Sequence, residues 1–412
     1  MTKFEKRILD FTDQHLPLLL AAFCTILGIA VRVSLRDVIS GDYRKYLLPW
    51  YDTISANGLS QQVGNYSFLY QFVIWILTKI RISSLYAYKI CSCIFDWVLA
   101  ITASVIVRSI LEHEKEWAGC LAYCTVLLSP IVFLNSAAWA QCDAIYSAFA
   151  LLAILYLERK QYTGAMCFLG VSFAFKLQAV FVLPFFLFVY FAERKFSAAR
   201  FLLVPCTMLI LSLPVVLWGR SLTEVVRIYF NQTGTYQAMS MNYPSPWLLL
   251  CQALEPTQYA YLKKAAIIVT VFVLAMLMIG GIRKAYVTTG KNLYMMAFLL
   301  VYTCVLFLPS MHERYGYLYE VLAIILAILI PKTIPLCAGL LTISMNTYGI
   351  YLFGVSGNCS FLACANLFFY CAYIYSLKEE FRPGITEKKK KELPAREEKM
   401  FENSTIDGKT DT

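Results

Sequence analysis

The sequence predicts an all-α protein that crosses a membrane many times. Three observations lead there. Of its 412 residues, 59% are hydrophobic and only 15% are charged, whereas soluble globular chains carry about 25% charged residues. Mean hydropathy is +0.61. Apolar runs of about 17–25 residues, the length a helix needs to cross the hydrocarbon layer, recur along most of the chain. No soluble domain is evident. Residues 1–376 read as one transmembrane domain and residues 377–412 as a polar, disordered cytoplasmic tail, with too few aromatic side chains to build a core.

The elements follow in order. Lys3, Lys6 and Arg7 precede the first apolar run, 17–35. That start has the form of a signal peptide, but no small-residue cleavage site follows it and further spans do, so an uncleaved first helix is expected. Next comes a polar loop with the stretch SGDYRKYLLPWYDTI, residues 40–54. It holds Asp42 and Asp52, with Asp37 just before it, and Pro49, Trp50 and Tyr51 read as interfacial anchors. The segment 65–80 is apolar but short and rich in aromatics. If it crossed, the later basic loops would fall on the side opposite the Lys-Arg N-terminus. If it lies flat at the interface, they all fall inside, and a juxtamembrane helix is therefore expected. Spans are then expected at 85–107, 118–134, 144–157, 163–175, 177–191, 201–218, 265–282, 293–308, 317–330, 334–353 and 360–375. This gives about twelve crossings with both termini cytoplasmic.

Composition also excludes several functions. Most of the 14 cysteines lie inside apolar runs, where they serve as small packing residues rather than a disulfide framework. Only His15, His113 and His312 could supply imidazole, so a histidine-rich metal site is excluded, and no metal or other cofactor is expected. The net charge of +10 resides in short loops. There it reports orientation in the membrane, and no nucleic-acid partner is expected.

Four places can carry chemistry. Asp143, in SAAWAQCDAIYSAFALL, stands at the start of a span. An ionisable group near hydrocarbon costs about 2.5–3.5 kcal/mol and is functional or paired by default. The plainer alternative is an acid favoured by a helix N-terminus. Trp139 and Gln141 just before it offer an aromatic wall and an amide. Lys176, in GVSFAFKLQAVFVLPFFLF, joins two arms that are each short for a crossing of about 20 residues. Two short helices meeting at a bend are expected, with Lys176 and Gln178 at the bend. A cation there suits a lipid phosphate, or else it snorkels from a helix end. LPSMHERYGY brings His312, Glu313 and Arg314 together between two spans. The planar fork of arginine matches phosphate, although an arginine in a polar loop can be simply interfacial. Asp42, with Tyr43 beside it, is the fourth place; Asp37 and Asp52 read as solvated loop acids or helix caps.

Taken in order, GDY…LLPWYDTI…GNYSFLY, WAQCDAIYSAF, FKLQAVFVLP and LPSMHERYGYLYEV resemble the GT-C superfamily of integral membrane glycosyltransferases. The nearer resemblance is to the bacterial branch related to the GPI-anchor mannosyltransferases, and it covers nearly the whole chain up to about Ser376. Asp42, the segment 65–80 and Asp143 match the superfamily's first-loop acid, interfacial helices and second acid. The resemblance implies a polyprenyl-phosphate-linked sugar donor, a glycan or glycolipid acceptor, and a site on the outer face of the bilayer. Asp42 and Asp143 would be the catalytic carboxylates and Lys176 and Arg314 the donor-phosphate ligands. Tyr43, Trp139, Gln141, Gln178, His312 and Glu313 would line the substrate. Two departures stand out: Asp42 is single rather than one of an adjacent acid pair, and Ala140 of WAQ replaces the glycine of the relatives' aromatic-glycine-glutamine. A transporter or flippase of lipid-linked sugars is the rival class. Transporters place their sites near the midplane, often between internal repeats, whereas the candidates here gather at one interface.

Overall fold

A computed structural model describes residues 1–112, 115–232, 237–250, 255–284 and 286–380. The expected tail, 377–412, falls almost wholly outside them. The described chain is a multi-pass helical membrane protein with two short strands. Helix α1 (Lys3–Ser34) starts on a capping box: Thr2 Oγ1 accepts from Glu5 N, and Glu5 accepts from Thr2 N. It therefore begins well before the apolar run. The first loop then folds into a π-helical turn (Tyr43–Leu47), α2 (Leu48–Asn57) and α3 (Phe68–Leu77). Next come α4 (Ser84–Ile110), α5 (Lys115–Leu127) and α6 (Pro130–Phe133), the last running into a second π-helical turn, Leu134–Ala138. The α5–α6 run is bent by 44°, at a point where Pro130 cannot donate a backbone hydrogen bond.

The chain continues through α7 (Asp143–Glu158), α8 (Tyr162–Phe175), α9 (Leu183–Glu193), α10 (Leu203–Leu217), α11 (Leu222–Gln232), β1 (Ser240–Met241), α12 (Pro246–Leu250) and α13 (Pro256–Arg283). It closes with α14 (Gly290–Phe307), β2 (Met311–His312), α15 (Tyr317–Leu329), α16 (Ile334–Phe353) and α17 (Cys359–Leu377). Among the described residues seven helices are long and apolar enough to cross a membrane, and the bent α5–α6 run would be an eighth. The other segments expected to span form helices, but α7, α8, α9 and α15 have only 16, 14, 11 and 13 residues. Their side chains are largely buried in protein, so fewer of their backbone ends face lipid, where irregular backbone is costly.

Contacts sort the connections into two ends. At one, Tyr43 Oη meets Ser84 Oγ at 2.7 Å, Ser67 Oγ donates to the Phe175 carbonyl at 2.7 Å, and Trp247 Nε1 donates to the Phe307 carbonyl at 2.7 Å. At the other, Lys160 pairs with Glu193 at 2.5 Å, Tyr294 donates to Glu158 at 2.8 Å, and Lys291 pairs with Glu380 at 2.8 Å. Helix α3 has both ends among elements of the first group. Ser67 precedes it, the Tyr51 hydroxyl reaches the Leu77 carbonyl at 3.3 Å, and Trp75 packs on Trp218 at 5.0 Å.

Lipid supplies no hydrophobic drive between helices, so tight packing and internal polar pairs hold such a bundle. Helices α8 and α10 approach at Gly170, where a Cβ would fall 2.8 Å from the Val204 carbonyl oxygen. Arg32 Nη2 meets Asp96 Oδ2 at 2.8 Å, and the same guanidinium donates to the carbonyls of Gly28 and Leu127. Ser136 in the second π-helical turn donates to that carboxylate at 2.5 Å. The pair thus ties α1 and α4 to the turn that leads into Trp139. Strands β1 and β2 pair in parallel, Ser240 with Met311 and Met241 with His312. They tie the loop after α11 to the segment that carries Arg314.

Candidate functional site

The first loop and the turn before α7 are joined by Ser40, whose Oγ donates to the Trp139 carbonyl at 3.1 Å and accepts from Tyr43 N at 3.1 Å. This fixes Asp42 at the entrance of the π-helical turn, facing Trp139. Between Trp139 and Gln141 the chain passes through Ala140 at φ 61°, a left-handed conformation that costs an alanine about 1–2 kcal/mol and a glycine little. The kink aims both side chains at one carboxylate. Trp139 Nε1 donates to Asp42 Oδ2 at 3.0 Å, and Gln141 Nε2 donates to the same oxygen at 2.8 Å. Tyr351, near the C-terminus of α16, donates to Asp42 Oδ1 at 2.9 Å.

Asp143 is the first residue of α7, and Cys142 occupies the cap position without a side-chain cap bond. The carboxylate turns inward instead of capping the helix. Its Oδ1 meets Lys176 Nζ at 2.5 Å and its Oδ2 accepts from Asn135 Nδ2 at 3.0 Å. Lys176 reaches it because α8 stops at Phe175 and the backbone becomes extended before the 3₁₀ turn Leu177–Val182, as the two short arms predict. Burial disfavours the charge on Lys176, but the carboxylate of Asp143, with Tyr66 and Cys142 behind it, outweighs this and holds its pKa above the ordinary value.

Arg314 links the two acids. Its Nη1 lies 3.4 Å from Asp42 Oδ2 and its Nε 3.5 Å from Asp143 Oδ2, at ion-pair distance. The guanidinium sits 5.3 Å from the Trp139 ring centroid and 3.0 Å from Glu313 Oε1. Eight of the ten candidates form this cluster or its wall. Asp42, Trp139 and Gln141 bond directly, Asp143 and Lys176 pair, Arg314 joins them, Glu313 backs Arg314, and His312 Nδ1 lies 3.8 Å from Glu313. Gln178 stands apart from these bonds, on the cavity wall described next. The hydroxyl of Tyr43 points to Ser84 in α4, away from Asp42. Trp50 and Tyr51, expected as interfacial anchors, pack inward on Tyr66 and Tyr88.

A cavity of about 270 Å³ opens beside the cluster; polar side chains including Lys176, Gln178, Lys263, His312 and Arg314 line it together with apolar ones such as Val180, Phe181, Ile267 and Leu308. The two acids differ in access: the Asp42 side chain is 11% exposed and that of Asp143 is 0%. Asp143 is enclosed and fully partnered. Among the described residues Asp42 Oδ1 has a single hydrogen-bond partner, and it can still receive a proton.

Sequence reasoning missed Tyr351 and Asn135. Asn135 lies in NSAAWAQCD, eight residues before Asp143, and its proximity was the available signal. Tyr351 looks like any aromatic near a span end, and nothing local marks it. No protein-family model and no curated protein matches this chain.

Proposed function

We propose that the protein is an inverting glycosyltransferase of the GT-C type. It would move a sugar, of hexose class, from a polyprenyl-phosphate donor to a glycan, glycolipid or cell-surface polymer on the outer face of the membrane. One observation carries the reading: Lys176 pairs with the buried carboxylate of Asp143, Arg314 bridges that carboxylate to the more accessible one of Asp42, and both cations line a cavity of mixed polar and apolar lining. Its cations suit a phosphate, whose charge an ammonium and a bidentate guanidinium neutralise. Its apolar lining residues suit a prenyl chain.

The chemistry needs few parts. Asp42 Oδ1 takes the proton of the acceptor hydroxyl as that oxygen bonds to the anomeric carbon. The bond from that carbon to the phosphate oxygen breaks, and its electron pair leaves on the phosphate, held by Lys176 and Arg314. The transition state is oxocarbenium-like, and a single displacement inverts the anomeric centre. Asp143 orients the two cations without meeting substrate. Trp139 and Gln141 hold Asp42 in place.

The finer topology belongs to the same proposal: about twelve crossings, α3 lying at the interface, and both termini cytoplasmic. Support comes from the two groups of connections, since Lys160, Lys291 and Lys332 gather at the end opposite Asp42, as a positive inside requires. The test compares labelled-sugar transfer with labelled-lipid translocation by the protein in liposomes. Formation of a glycosidic bond with release of polyprenyl phosphate supports the transferase; lipid movement without bond formation supports the flippase and ends this reading.

A further inference from the structure

A second cavity, of about 180 Å³, lies between the facing ends of α16 and α17 and is lined by Asn242, Thr347, Ile350, Tyr351, Cys359 and Leu362. It shares no lining residue with the cavity that carries Lys176 and Arg314. Tyr351 joins it to Asp42, because this wall residue donates its hydroxyl to Asp42 Oδ1. The ring of Tyr351 is also stacked on Trp139 at 4.9 Å. Asp42 thus contacts one wall residue of each cavity, Arg314 of the first and Tyr351 of the second. Its Oδ2 turns to Trp139, Gln141 and Arg314, and its Oδ1 to Tyr351, a residue of the second cavity's wall.

We infer that this second cavity is the acceptor subsite and that it takes the uncharged terminal sugar of a glycan. The inference rests on the transferase reading and adds the acceptor's class. The lining offers an amide, two hydroxyls and a thiol among apolar groups, and no charged side chain. A phosphate or carboxylate placed there would lose water without gaining a cation, at a cost of several kcal/mol. Sugar hydroxyls, which both donate and accept, match the amide and hydroxyl lining. A hydroxyl bound beside Tyr351 would be one hydrogen-bond partner removed from the Asp42 oxygen that can receive its proton. Asn242 also forms a backbone bridge with His312, two residues from Arg314, which connects the acceptor wall to the segment of the cation that faces the donor.

The test has two readouts. In the first, acceptor and donor dependence are measured for Thr347→Met and Leu362→Phe, which fill the cavity without touching the Asp42–Arg314 cluster. The acceptor KM should rise at least tenfold, while donor KM and slow hydrolysis of the donor stay unchanged. A donor KM that rises instead, or an acceptor KM that stays put, overturns the assignment. The second readout does not depend on catalysis. Neutral oligosaccharides ending in mannose, glucose or galactose should slow alkylation of Cys359 by iodoacetamide, followed residue by residue by mass spectrometry. Absence of protection, or better protection by the same oligosaccharides carrying a terminal phosphate, overturns the neutral-acceptor inference. If the wild-type protein transfers no sugar but Cys359 is still protected, the transferase reading fails and the glycan-binding cavity stands.

Discussion

Replacing Asp42 by asparagine tests the assignment of the base with little structural disturbance. The amide oxygen can take the place of Oδ2 and keep the bonds from Trp139 Nε1 at 3.0 Å and Gln141 Nε2 at 2.8 Å. The amide nitrogen then faces Tyr351, whose hydroxyl can turn to accept. Arg314 loses a carboxylate at 3.4 Å and keeps Glu313 at 3.0 Å and Asp143 at 3.5 Å. Folding and donor binding are therefore expected to survive, while the proton acceptor is gone. A positioned base contributes about 10²–10⁴ in rate, or about 2.7–5.4 kcal/mol at 1.36 kcal/mol per tenfold. The prediction is a loss of that size in the initial rate of labelled-sugar transfer at matched protein, with donor affinity within about threefold of wild type by the same scale. Asp37→Asn and Asp52→Asn serve as controls: both acids are exposed, and substitution should shift stability by no more than about 0.5 kcal/mol. A transfer rate for Asp42→Asn close to wild type would refute the reasoning and return Asp42 to a scaffolding role.

Other predictions follow from single contacts. Lys176→Ala or Arg314→Ala should raise the donor KM about 10- to 150-fold, the equivalent of about 1.5–3 kcal/mol for a charge-assisted contact; steady-state kinetics against donor and acceptor separately would show an equal effect on both if the cations were merely structural. Asp96→Leu strands the buried Arg32 and should lower stability by about 3–5 kcal/mol, whereas Arg32→Met with Asp96→Leu should recover most of it, as read by thermal unfolding in detergent. Ala140→Gly relieves the left-handed backbone and should raise stability by about 1 kcal/mol while activity is retained; a lower melting temperature would contradict the strain. Lys291 and Lys332 hold the Glu380 carboxyl below its ordinary value. Its stabilising contribution is thus present above the unfolded pKa of about 4.3 and is lost as pH falls through the folded value, so the melting difference between wild type and Glu380→Gln should vanish in acid.

Much of the fold was legible because length and hydropathy are physical requirements of the bilayer. Helices stand at all the segments read as spans, and the break at Lys176 followed from two arms each too short to cross. The same criterion misjudged lengths: α7, α8, α9 and α15 are short because protein, rather than lipid, surrounds much of their surface. In the 65–80 segment the sequence predicts a helix, and one stands at Phe68–Leu77; its place at the interface rests on the charge-balance argument and belongs to the proposal. Within the site, ionisable residues in apolar surroundings announced themselves, and ion pairs connect Lys176 to Asp143, Asp143 to Arg314 and Arg314 to Asp42. Tyr351 gave no such signal, because a tyrosine near a span end is ordinary and its partner lies 309 positions away. Tyr43 misled for a related reason. Adjacency to Asp42 in sequence does not align two side chains on a π-helical turn, and the hydroxyl of Tyr43 pairs with Ser84. The departure at Ala140 became intelligible only from the backbone, which there adopts the conformation that a glycine takes freely.

The central claim is that this protein makes a glycosidic bond at the expense of a polyprenyl-phosphate sugar. Its most direct test is the stoichiometry of the reaction catalysed by the purified protein in detergent, given a labelled polyprenyl-phosphate hexose and a pool of neutral glycans. The account predicts one polyprenyl phosphate released for each sugar joined, an anomeric configuration in the product opposite to that in the donor, and loss of both products in Asp42→Asn. Release without joined sugar, retention of configuration, or no consumption of any such donor by well-folded protein would contradict it.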